Sequence, residues 1–101
     1  MADYYVVELA VGPDWDRSRA RREQEGWHEH AVFMDGLAED GFIVLGGPIG
    51  DGEYDNTLHI VDADGEEAIR ARFAEDPWSG SMLTVHSIRP WHVWLRGDGG
   101  E

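Results

Sequence analysis

Two residues stand out for the chemistry they could do: a histidine within the apolar stripe of a helix, and an aspartate in an Asp-Pro-Trp segment. The histidine is His30, in Gly26-Trp27-His28-Glu29-His30-Ala31-Val32-Phe33-Met34-Asp35-Gly36-Leu37. At a helical step of about 100° per residue, Trp27, Ala31, Met34, Leu37 and Ala38 share a face; His30 falls among them and His28 points elsewhere. A buried imidazole left unpaired costs on the order of 1–3 kcal/mol, so His30 calls for a partner. Asp76, in Ala74-Glu75-Asp76-Pro77-Trp78, is the candidate, expected to close the second helix where a carboxylate opposes the helix dipole. An imidazole can move a proton near neutral pH, and a carboxylate on one ring nitrogen fixes the tautomer of the other. The same pair can equally be a structural hydrogen bond tying two helix ends together.

Other combinations point to less. His28 and His30 diverge by roughly 200° on a helix, His59, His86 and His92 fall on expected strands, and no H-x-x-x-H or H-E-x-x-H spacing occurs, so no metal site is expected. Gly46-Gly47-Pro48-Ile49-Gly50-Asp51-Gly52 lacks the G-x-G-x-x-G of a phosphate cradle and runs into Asp51, Glu53 and Asp55; it reads as a turn whose amides can line a pocket. The chain has neither cysteine nor lysine. That excludes thiolate chemistry, disulfides, Schiff-base catalysis and a Walker A loop, and no cofactor is expected.

These residues must be positioned by a chain of 101 residues, the size of one domain. A domain this small hides only roughly 60–70% of its unfolded surface. Five tryptophans exceed what such a core absorbs easily, which suggests an interface or a pocket. The net charge of −13 argues against nucleic acid and anionic membranes as partners. Arg17, Arg19, Arg21 and Arg22 are balanced by Asp14, Asp16, Glu23 and Glu25, as expected of a solvated helix face. No leader is visible and no apolar run approaches ~18 residues, so the expectation is a soluble, cytoplasmic protein.

A strand is expected over Tyr4 to Ala10, then a helix from about Asp16 to Asp40 ended by Gly41. The continuous apolar run Phe42 to Gly46 reads as a well-buried strand, and Asn56 to Asp62 as a third. Asp64 and Glu67 predict a capped second helix, with Ala68, Ile69 and Phe73 inward, stopped by Pro77 at about Glu75. A final extended stretch runs from Met82 to Leu95, and residues 97–101 are expected to form a disordered tail after a domain spanning 1–96. The order βαββαβ suits an α+β, ferredoxin-like antiparallel sheet with both helices on one face. Its other face would be bare, which two such sheets closing face to face in a homodimer would solve.

Four fragments occur in an order that resembles one family. They are Trp27-x-x-His30-x-x-Phe33-Met34-x-x-Leu37, Gly41-Phe42-Ile43-Val44-Leu45-Gly46-Gly47-Pro48, Asp76-Pro77-Trp78 and Ile88-Arg89-Pro90-Trp91. In this the chain, from Tyr4 to Trp94, is similar to the YciI-like (YCII-related) proteins. The resemblance implies a dimeric α/β barrel of ferredoxin-like subunits and a pocket built on His30 and Asp76. It places Gly46, Gly47 and Pro48 in that pocket, and Trp78 and Trp91 are candidate walls. Some members have an arginine three residues before the histidine; here that position is Trp27, which implies a flatter, more apolar or aromatic substrate. The activity implied is cofactor-free proton transfer on a small cyclic or aromatic molecule by His30 with Asp76, of lyase, isomerase or dehydrochlorinase type. Same-fold relatives that oxidise aromatic polyketides keep a monooxygenase in view. The alternative is a small-molecule-binding or dimerising module whose His30–Asp76 pair is structural.

Overall fold

The computed structural model describes residues 2–52 and 56–97. Glu53 and Asp55 of the glycine-rich loop, and residues 98–101 of the expected tail, lie outside this description. The elements are β1 (Tyr4–Val11), a 3₁₀ turn (Arg21–Glu23), α1 (Trp27–Glu39), β2 (Ile43–Pro48), β3 (Thr57–Val61), α2 (Glu66–Phe73) and β4 (Leu83–Trp91). The strands form one sheet in the order β2-β3-β1-β4, antiparallel at every pairing. This α+β arrangement is that of a ferredoxin-like fold, as the element order predicts.

Alternation decides which sheet face is covered. Val7 pairs with His59 and Ile88, and Leu9 with Thr57 and Val85, so these residues share a face. Leu37 of α1 and Ile69 and Phe73 of α2 join Val7, Leu9 and Val61 in one core, which places both helices on that face. The opposite face carries Val6, Leu58, Ile60, Arg89 and Trp91 around a shallow groove that neither α1 nor α2 covers. No helix among the described residues is long and apolar enough to cross a membrane.

Several local expectations fail for identifiable reasons. The first helix begins at Trp27, eleven residues later than expected, because Gly26 sits at φ 80° and interrupts the helical path. The preceding segment is a loop folded around the buried Gln24. Its side-chain oxygen accepts from the Asp16 N–H at 3.0 Å, and its amide donates to the carbonyls of Asp16 at 2.7 Å and Arg19 at 3.0 Å. Charge pairing in this segment is therefore not that of a helix face; the exposed Asp16 instead accepts from Ser18 and lies 3.7 Å from Arg19.

The apolar run expected as a buried strand is an edge strand. Only Ile43 of β2 is buried, and Leu45 is 69% exposed, because β2 pairs with β3 alone and a register shift falls between Ile43 and Leu45. Gly47 and Pro48, expected as loop, extend this strand; Pro48 is tolerated at its edge. α2 lacks the Asp64 cap, starting instead after an extended Gly65 with no side-chain cap, and Ala68 is exposed. It ends at Phe73 rather than about Glu75, so Asp76 lies three residues beyond it. The last strand stops at Trp91, short of Leu95.

Candidate active site

The turn that carries Asp76 is built by its own sequence. Asp76 Oδ1 accepts from the Trp78 N–H at 3.0 Å, an Asx-type turn, while the Asp76 carbonyl accepts from the Ser79 N–H at 2.9 Å. Pro77 between them has its φ preset for that turn. The carboxylate thus points away from α2 and towards α1. His30 Nδ1 lies 2.8 Å from Asp76 Oδ2 and 3.0 Å from Oδ1, and both residues are only 6% exposed. A carboxylate only accepts, so the imidazole donates from Nδ1 and, in its neutral form, offers Nε2 as the free lone pair.

Trp78 fixes the ring plane. Its indole stacks on His30 with centroids 4.1 Å apart and planes 9° from parallel. The indole N–H donates to the Glu25 carbonyl at 2.8 Å, pinning the loop that leads into α1. Trp15 packs edge-on against Trp78 at 5.6 Å, and Trp27 lies 5.8 Å from both Trp78 and His30. Three of the five tryptophans therefore hold one histidine and its loop in place.

His30 opens onto a cavity of about 290 Å³ between α1 and the β2–β3 edge of the sheet. Trp27, Met34, Ile43, Leu45 and Leu83 give it an apolar wall, and Arg21, Asp35, Thr57 and His59 supply polar groups. Gly46 and Gly47 line it too, whereas Pro48 lies just beyond. Asp76 lies behind His30, outside the lining, in the position of an orienting partner. Trp78 supports the ring from its buried side and does not line this cavity. Trp91 is not brought to the site: it sits on the uncovered face of the sheet, 44% exposed.

Among the cavity residues that escape the sequence reading are His59 and Arg21. His59 is buried on β3, and the signal for it was its place in the alternation Thr57-x-His59-x-Val61 of a core-facing strand. A Cβ on Gly46 would lie 2.8 Å from His59 Cδ2, so this glycine makes room for the imidazole. Burial lowers the pKa of His59, a bond to the Val7 carbonyl partly opposes this, and the neighbouring Arg21, with His30 whenever it is protonated, lowers it further. Arg21 reaches the cavity only because its segment is a folded loop, and no local pattern announces that. Its presence adds a cationic group to a pocket that Trp27 had suggested to be apolar. Among the described residues no cluster of three or more His, Asp or Glu side chains is placed to hold a metal ion.

No protein-family model matches this chain, and no curated protein or solved structure matches it either.

The lowered pKa of His59 predicts a pH dependence with a definite sign. Unfolded His59 takes up a proton below its ordinary value of about 6.5, and the folded residue resists doing so. Folding stability should therefore fall as pH drops through about 6.5, and His59→Gln should remove that component. Urea denaturation of both proteins from pH 8 to pH 5 checks this; identical pH profiles would contradict it.

Proposed function

We propose that this chain is a YciI-like, cofactor-free enzyme that moves a proton on a small cyclic or aromatic molecule. His30 acts as general base or acid through Nε2, and Asp76 orients it and stabilises the imidazolium formed during transfer. One observation carries this reading: the ring that Asp76 holds from behind lines a cavity in front, instead of being sealed in the core. The apolar wall suits a flat ring, and proton abstraction with loss of a leaving group, as in dehydrochlorination, is the chemistry such a site can support. The deep burial of both partners favours the competing reading, a binding module with a structural pair.

A panel of cyclic 1,3-diketones and halogenated phenols, followed by NMR for solvent deuterium exchange and by halide release, separates the two. The enzyme reading predicts acceleration on at least one compound, falling about 10²–10⁴-fold in His30→Gln and in Asp76→Asn. Asp76→Asn should remain folded, losing about 1–2 kcal/mol, since an amide oxygen still accepts from the Trp78 N–H. Saturable binding without turnover, or unfolding of Asp76→Asn, supports the module.

We also read the uncovered sheet face as the contact between two copies. Val6, Leu58, Ile60 and Trp91 give it an apolar centre and Arg89 borders it, a pattern that a second sheet would bury. Sedimentation equilibrium should then show a dimer that Trp91→Glu dissociates. A monomer at every concentration would contradict this.

A further inference from the structure

His59 faces the same cavity as His30 but takes no part in the pair with Asp76. Its Nδ1 lies 3.3 Å from the Val7 carbonyl oxygen on the neighbouring strand β1. A carbonyl oxygen only accepts, so Nδ1 carries the ring proton and donates it there. In the neutral ring Nε2 is then a bare lone pair. The adjacent Cδ2 is the atom that a side chain at Gly46 would strike, and Gly46 lines the cavity. The glycine thus spares the ring edge beside Nε2 a steric clash.

We propose that His59 is a ligand-binding residue of this cavity, its Nε2 accepting a hydrogen bond from a hydroxyl or enol on a small planar ligand. This deepens the reading of the cavity as the functional site and rests on it. Chemistry divides the labour between the two imidazoles. His30, backed by a carboxylate, is suited to taking up a proton. His59 is buried and backed only by a carbonyl, and burial disfavours its charged form, so it is a weaker base and suited to accepting a hydrogen bond. A core position on β3 that needed only bulk would be filled by a branched apolar residue such as the neighbouring Val61, without a polar nitrogen to satisfy. The ligand class that follows is phenols, enols and hydroxylated rings, with their O-alkyl ethers excluded for want of a donor.

Phenol and anisole are the probes, because they differ only in that donor and both fit a cavity of about 290 Å³. Titrations followed by ¹⁵N NMR of the histidine rings should show phenol binding at least fivefold more tightly than anisole, with the His59 Nε2 resonance moving on phenol alone. His59→Phe keeps a flat ring in that space and has no acceptor, so the preference should shrink to twofold or less. Equal binding of the two probes, no binding of either, or a preference that survives in His59→Phe overturns the proposal. Should that variant fail to fold, the wild-type Nε2 resonance decides: left unmoved by phenol, it overturns the proposal. The comparison reads binding only, so a failure of proton transfer at His30 leaves it intact, and its own failure leaves turnover intact.

Discussion

The carboxylate of Asp76 joins three parts of the molecule that have no other reason to meet at one point. It closes its own turn through the Trp78 N–H, and it holds His30 of α1 through Nδ1. The turn in turn delivers the Trp78 indole beneath the imidazole and up to the Glu25 carbonyl. A buried carboxylate deprived of its partner is strongly unfavourable, so each of these contacts depends on the others. The constraint also orients: with Nδ1 committed to Asp76, only Nε2 of His30 is left to address the cavity.

Around that fixed ring the fold leaves one side open. An edge strand with a register shift and two glycines stands where a regular buried strand would have closed the space against α1. Gly46 admits the imidazole of His59, and the loop folded on Gln24 brings Arg21 to the cavity. The exposed apolar residues of β2 are thus the far wall of a pocket as well as an edge. Irregular backbone is placed next to the site, where it re-aims side chains.

The layout was legible wherever short-range physics decides. The aromatic and β-branched content of Tyr4–Ala10, the strand over Asn56–Asp62, the glycine after Asp40 and the βαββαβ order lead directly to the observed sheet. The pairing of His30 with Asp76 could be inferred because a polar residue on an apolar stripe and an aspartate beside a proline are each locally conspicuous. What could not be read depends on contacts between distant residues. Gln24 gains its partners only by folding back on residues 16–20, which turns an apparently helical, charge-paired segment into a loop. The exposure of β2 follows from its place in the strand order rather than from its composition. Trp91 and Trp78 have the same side chain, yet register puts one on the bare face and a turn puts the other behind His30.

The most direct test of the account is to locate the last proton on the His30 ring. Long-range ¹H–¹⁵N correlation spectra at alkaline pH, where a single ring proton remains, should place it on Nδ1 in the wild type. In Asp76→Asn, the amide oxygen is taken by the Trp78 N–H and its NH₂ faces the imidazole, so the proton should move to Nε2. A wild-type ring protonated on Nε2, or a pattern unchanged by the substitution, would show that Asp76 does not set the chemistry His30 presents to the cavity.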